Sequence, residues 1–234
     1  MYLTRFRINT ARIGARRLLS TPQVLHAAVM SSFAEVPTQA GERARVLWRI
    51  DHNNKADVVL YIVSPDRPDL THLVEQAGWP TTARWETFDY TRFLKRLAIG
   101  DTWAFRLTAN PVHSIRRKDG EHTKRTAHLT PHHQMRWLLD RQDASGFAIL
   151  EKPAERRLLP EGDTYELVVR DQRSLSFAKA GQGSSRGNRV KLTTVTFDGR
   201  LRVTDPDAFR RVLAMGLGKA KAYGCGLMTL APVR

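Results

Sequence analysis

Val46-Leu47-Trp48-Arg49-Ile50-Asp51-His52-Asn53-Asn54-Lys55-Ala56-Asp57-Val58-Val59-Leu60-Tyr61-Ile62-Val63 is a pair of apolar runs around a polar turn. Val46–Ile50 and Asp57–Val63 predict strands, the second rich in the β-branched residues that suit a pleated, half-buried surface. Asp51 to Lys55 has the composition of a turn-like connection. Working outward, Thr21-Pro22 supplies an N-cap followed by proline at the first helical position. Leu25, Ala28, Val29 and Phe33 then follow at helical spacing. Before them, Tyr2, Thr4, Phe6 and Ile8 alternate with Leu3, Arg5 and Arg7, the period of a strand. On the other side, Leu70, Leu73, Val74 and Ala77 mark a helix that stops at Gly78, and a weaker strand covers Arg84–Phe88.

The order β-α-β-β-α-β is that of the ferredoxin-like unit, and it recurs. Trp103, Phe105, Leu107 and Ala109 alternate as a strand, and Thr130-Pro131 opens a helix carrying Met135, Leu138 and Leu139. Strands are expected over Phe147–Leu150, Thr164–Arg170, Arg189–Phe197 and Leu201–Val203. Asp205-Pro206 opens a helix with Phe209, Val212 and Leu213, and Leu227–Leu230 closes the chain. The expected class is α+β, with two tandem ferredoxin-like domains over residues 1–97 and 101–234. The second carries an inserted basic β-hairpin. A chain of 234 residues accommodates two units of roughly 100 each.

Charge narrows the function. The chain has 38 Lys and Arg against 23 Asp and Glu, a formal charge of +15. Residues 1–34, 172–197 and 208–234 contain no acid and five cations each, so the whole excess lies in three segments. A polyanionic partner is implied. The single cysteine, Cys225, excludes a disulfide framework and a Cys-cluster zinc site. The start has no apolar leader and no run is long enough to span a membrane, so a cytoplasmic protein is expected.

Each acid-free segment holds a candidate. His26 lies near the start of the first helix, about 100° round from Leu25, at the edge of the apolar stripe. Its unperturbed pKa of about 6.5 suits proton transfer near neutrality, and Arg12, Arg16 and Arg17 precede it. The loop Lys179–Lys191, with Arg186 and Arg189, has four cations and three glycines. Carried on a hairpin, it could enter a nucleic-acid groove and contact phosphate. The run Gly216–Gly226, with Lys219 and Lys221, follows a helix and precedes the last strand, where its amides and lysines could cradle a phosphate backbone. It matches neither the Walker A loop nor a dinucleotide fingerprint. Among His128, His132 and His133, Pro131 interrupts any single helix carrying both His128 and His132. No Cys or carboxylate stands beside them, so no metal site is expected. What remains is a histidine with cations on a polyanion, the equipment for RNA cleavage through the 2′-OH.

The sequence resembles the CasE-type CRISPR RNA-processing endoribonucleases of type I-E systems, members of the repeat-associated mysterious protein superfamily. The resemblance rests on four stretches: Met1-Tyr2-Leu3-Thr4, the Leu25-His26 helix, Phe105-Arg106-Leu107-Thr108-Ala109-Asn110-Pro111, and Gly216 through Gly224-Cys225-Gly226-Leu227 to Pro232. It covers nearly the whole chain. It implies metal-independent cleavage of precursor CRISPR RNA at the 3′ base of each repeat hairpin, with no cofactor. It also implies retention on the product as a subunit of the Cascade complex. His26 corresponds to the family's catalytic histidine. Three residues earlier the family commonly has tyrosine; here Gln23 can hydrogen-bond but cannot serve as a phenolic acid or base. Lys179, Arg186, Arg189 and Lys191 would hold the RNA stem, with Lys219, Lys221, Arg16 and Arg17 completing the RNA-facing cations. The competing class is a subunit that holds RNA without cutting it.

Overall fold

In the computed structural model, residues 1–35, 45–79, 85–115, 124–159, 162–178 and 189–233 are described. The alternation at the N-terminus forms β1 (Tyr2–Ile8), which buries Thr4, Phe6 and Ile8. The hairpin that decided the reading is β2 (Leu47–His52) and β3 (Val58–Ser64), antiparallel, with Ile50 opposite Leu60. With β4 (Glu86–Asp89) they make a four-stranded antiparallel sheet in the order β2-β3-β1-β4.

Two short helices fill the first crossover, α1 (Ile13–Leu18) and α2 (Pro22–Met30). The first was not anticipated: its six residues are too few to show a period. The second starts where the Thr-Pro pair puts it, with the Thr21 hydroxyl accepting from the Val24 amide. α3 (Thr71–Ala77) ends at Gly78 as expected. That glycine has an extended backbone; what it supplies is room, since a Cβ there would come within 2.7 Å of the Val74 carbonyl oxygen. α4 (Tyr90–Arg96), also unanticipated, leads across residues 97–101 into the second half.

There β5 (Thr102–Ala109), β8 (Phe147–Ile149), β10 (Arg189–Val203) and β11 (Met228–Pro232) form an antiparallel sheet in the order β11-β5-β10-β8. A small hairpin of β6 (Val112–Ile115) and β7 (Lys124–Ala127) follows β5. Helices α5 (Pro131–Gln142) and α6 (Pro206–Met215) open at Thr130-Pro131 and Asp205-Pro206, each with its cap side chain engaged. The two strands expected over residues 189–197 and 201–203 are one, because Asp198-Gly199-Arg200 continues the pairing with β5. β9 (Leu167–Ala178) pairs along the first part of β10 as a long arm. Before Val195, from Arg189 to Thr194, β10 has no partner on its β5 side among the described residues, so the arm's far end stands clear of the main sheet.

Two apolar cores result. One lies wholly in the first half, between the first sheet and α1 to α3. The other spans both halves, because Leu47, Val63, Tyr90 and Leu94 pack with Phe105, Leu107, Leu227 and Met228. The first sheet is therefore covered on both faces, and β2 faces a helix with Trp48 and the second half with Leu47, Arg49 and Asp51.

Candidate active site

Within α2 the apolar stripe buries Leu25 and Val29, leaving His26 half-buried at its edge. From β2 the Trp48 indole Nε1–H donates to His26 Nδ1 at 3.2 Å. The indole nitrogen only donates, so Nδ1 is the bare nitrogen and Nε2 carries the proton. Burial holds the His26 pKa below its ordinary value, so the ring is neutral at pH 7. On the same face, Gln23 Oε1 is buried and has no hydrogen-bond partner among the described residues.

The glycine-rich run reaches this place from the second half. Its 3-10 turn, Lys221–Tyr223, packs against α2 and β2. Gly224 lies on the Trp48 ring, where a Cβ would come within 2.7 Å, and its φ of 78° favours glycine independently. Gly216 and Gly224 thus serve close packing against Leu47 and Trp48 of β2, while Gly218 faces Trp137 of α5. Lys221 is half-buried; burial, then Arg45 and Lys219, lower its pKa. Arg45 Nε is itself buried without a partner among the described residues. His26, Trp48, Arg45 and the Lys219–Lys221 turn are therefore gathered along one junction between the halves.

The other expected RNA contacts fall differently. Arg189 and Lys191 are exposed on the arm, and Arg189 Nε donates to Ser176 Oγ. Lys179 and Arg186 lie outside the described residues. Lys191 and Lys219 line a groove of about 910 Å³ between the arm, β6–β7 and the glycine-rich run, with Asn110, Thr126, Ser176 and Tyr223. No carboxylate among the described residues lines that groove. Arg16 and Arg17 are exposed in the last turn of α1, whose continuation Leu18-Leu19-Ser20 borders the cleft beside His26; neither has an acidic partner among the described residues. Arg12 is not part of the site: its guanidinium donates to the carbonyls of Val74 and Gly78, capping α3.

His128 stacks on His133 and lies tilted against His113, but no group of three or more His, Cys, Asp or Glu among the described residues is placed to hold a metal ion. Cys225 is fully buried, which pushes its thiol up to about 12 and leaves it inert.

Beneath the site runs an ionic chain, buried at Arg49 and Asp51 and half-buried beyond them, that sequence reasoning missed. Arg49, 1% exposed, forks onto Asp51 at 2.6 and 2.9 Å and donates to the carbonyls of Arg106 and Leu227 and to Thr229 Oγ1. Arg106 bridges Asp51 and Asp198, and Arg170 also binds Asp198. Burial pushes the Asp198 carboxyl up, but the hydrogen bonds from Arg106 and Arg170 outweigh it and hold the pKa below the usual range. Nothing in the sequence marked Arg49, because an arginine in an alternating strand usually faces water.

Residues 1–232 match the model of a family described as CRISPR associated protein. The CRISPR-associated endoribonuclease Cse3 of Thermus thermophilus is 30% identical over 233 residues, 99% of this chain and 100% of that protein. The CRISPR system Cascade subunit CasE of Escherichia coli is 27% identical over 196 residues, covering 80% of this chain and 89% of that one. A solved structure of Thermus thermophilus Cse3, bound to an RNA representing a pre-cleavage complex, is similar with a TM-score of 0.73. Identity there is 27%, across 99% of this chain and 98% of that one. From β1 to β11, this chain belongs to the CRISPR-associated protein family, in its Cse3/CasE branch.

Proposed function

We propose that this chain is an endoribonuclease that cuts precursor CRISPR RNA at the 3′ base of the repeat hairpin and remains on the product within Cascade. The observation that carries this reading is a neutral histidine with a bare Nδ1, at the junction of two halves that match an RNA-processing relative along their whole length. His26 takes the 2′-OH proton at Nδ1, the hydroxyl replacing the Trp48 N–H as donor. The 2′-oxygen bonds to the adjacent phosphorus and the 5′-oxygen leaves. The products are a 2′,3′-cyclic phosphate and a 5′-OH. Lys219 and Arg45 offset the charge of the phosphorane. Lys221, made readier to release its proton by burial and by its cationic neighbours, is the proton source for the leaving oxygen.

We read the chain as two ferredoxin-like domains, 1–97 and 101–234. Both four-strand orders run fourth-first-third-second, with helices after the first and third strands, which supports this reading. The RNA stem lies on the second domain, along the groove bearing Lys191 and Lys219 with Arg189 on the arm above it. The groove of an A-form stem hides base edges, so these contacts go to phosphate and shape. No helix among the described residues is long and apolar enough to cross a membrane. A cytoplasmic location is proposed on the same footing as the RNA substrate.

The test is incubation of the purified protein with its own repeat RNA in EDTA. Cleavage at one site, leaving a 2′,3′-cyclic phosphate, is the expected result. Tight binding with no cut would instead favour the non-catalytic subunit, the reading to which Gln23 at the usual tyrosine position lends weight. A second expectation concerns salt. Replacing Arg189, Lys191 and Lys219 together by alanine should lower the slope of log affinity against log salt by about two to three. An unchanged slope in filter binding would show that these side chains do not meet phosphate.

A further inference from the structure

Residues 152–164, between β8 and β9, form a closed loop on the second half. Its ends meet where the Lys152 amide donates to the Thr164 carbonyl at 2.8 Å. Within it, the Lys152 ammonium pairs with Asp163, whose other carboxylate oxygen accepts from the Leu158 amide at 2.7 Å. Arg157 Nε donates to the Lys152 carbonyl, its guanidinium also reaches Glu151, and Ala154–Arg156 make a 3-10 turn. Ends in contact over roughly 6 to 16 residues define an Ω-loop, a form that is frequently functional. Pro160 and Glu161 of the loop lie outside the described residues.

These ties are all polar, and the loop's leucines stand outside them. Leu158 is 87% exposed, the most exposed large apolar side chain among the described residues, and Leu159 is 61% exposed. A single exposed leucine is ordinary. Two adjacent ones, on a loop braced in one conformation and rimmed by charge, have the form of a protein-contact site. The charge of this segment is opposite to that of the chain. Residues 151–166 hold five acids against three cations, whereas the whole carries +15. Glu155 is exposed and has no ion pair among the described residues. None of the described residues of the segment lines the groove bearing Lys191 and Lys219 or the cleft beside His26. An acidic, leucine-tipped loop is repelled by RNA phosphate and by an anionic lipid surface alike, which leaves a protein as its partner.

We propose that this loop docks the chain onto another protein subunit of Cascade, with Leu158 and Leu159 entering an apolar pocket that has a basic rim. The proposal rests on the reading that the chain remains on its product within Cascade. A subunit lining the same RNA carries cations for the reason this one does, so two such proteins repel except where one of them offers acids. The segment 151–166 is such a place. Its leucines are already held by the Lys152–Asp163 clamp, so little ordering remains to be done when they are buried. Docking there leaves the groove and the cleft open. Stem binding and loop docking are then two linked contacts, each raising the effective concentration of the other.

The experiment separates the protein contact from the tether that RNA supplies. Cascade lacking this chain is assembled from the other subunits of the same system, once on a full crRNA and once on a crRNA without its 3′ stem. Binding of the whole purified chain is then measured by interferometry. Wild type should bind both, and more tightly with the stem. The double variant Leu158→Ser, Leu159→Ser should bind the stemless complex about a hundredfold more weakly. It should unfold at the wild-type urea concentration and bind free repeat RNA as wild type does. Glu155→Lys should weaken the same docking severalfold, and less so at high salt. Wild type that joins only the full complex, or a leucine variant that docks as wild type does, overturns the loop and leaves the Cascade reading intact. Wild type that joins neither complex overturns that reading and the proposal with it. Unchanged or tighter docking by Glu155→Lys refutes the basic rim. Self-association of the free chain that the leucine variant abolishes, with Cascade binding retained, assigns the loop to a second copy and overturns the proposal.

Discussion

His26→Ala is expected to reduce cleavage of the repeat RNA by about 10²- to 10⁴-fold, the usual contribution of a positioned proton-transfer group, while leaving RNA affinity within about twofold. The separation follows from the geometry. The cations proposed to bind the stem stand on the arm and in the groove of the second half, whereas His26 belongs to α2 of the first. The variant should fold, because α2 keeps its Thr21 cap and its buried Leu25 and Val29. Its structural cost is a Trp48 N–H left without an acceptor, about 1–3 kcal/mol. Activity should also report the state of the ring. Burial lowers the His26 pKa, so wild-type cleavage should be flat around neutrality and fall on acidification through a value below 6.5, with a second fall at alkaline pH as Lys221 loses its proton. The Trp48 N–H donates to the bare nitrogen and so stabilises the neutral ring, a second reason for a low pKa. Trp48→Phe keeps an aromatic ring and removes that donor, and the acid limb should move to higher pH. A rate that rises on acidification would make His26 an acid and not a base. An alanine variant as fast as wild type would remove it from the chemistry altogether.

The elements that could be read from sequence are those in which a local rule and the tertiary structure agree. Thr21, Thr130 and Asp205 each precede proline, each accepts hydrogen bonds as an N-cap, and each helix begins where expected. Helices α1 and α4, by contrast, have six and seven residues and owe their existence to packing. Charge was legible only in part. The segment 1–34 lacks acids, yet Arg5 and Arg7 pair with Glu86 and Asp57 from neighbouring strands, and Arg12 caps α3. Arg210, in the third acid-free segment, binds Asp207 and the carbonyls of Leu94 and Leu97, fastening α6 to the connection between the halves. A stretch without acids is therefore not a surface without acids. The segment 172–197 fares better: Arg173, Arg189 and Lys191 have no acidic partner among the described residues, and all three are on the arm of β9 and β10. Arg49 and Trp48 were illegible for another reason. Both faces of β2 are covered, so alternation could not separate an inward from an outward side chain.

Arg49→Met should be the most damaging single change to stability, costing about 3–5 kcal/mol in urea unfolding. The loss comes less from the missing attraction than from what stays behind. Asp51 would remain buried, retaining only the 3.3 Å contact from Arg106, and the carbonyls of Arg106 and Leu227 would each lose a donor. Arg49→Lys should rescue little, because an ammonium cannot fork onto the carboxylate and reach β5 and β11 together. Arg49→Met combined with Asp51→Leu, which removes the stranded charge, should recover much of the loss. If the single change costs less than about 1 kcal/mol, or the double variant is no better, the chain is not an interlock between the halves. The consequence for cleavage follows from strand geometry. Arg49 ties β2 to β5 and β11 on one face, and the preceding residue, Trp48, holds His26 from the other. A β2 released from the second half would carry Trp48 away from Gly224 and move His26 relative to the groove bearing Lys191 and Lys219. The double variant should accordingly regain stability while cleaving more slowly than wild type, since hydrophobic packing restores the energy of the junction without restoring the register that three directed hydrogen bonds across it impose.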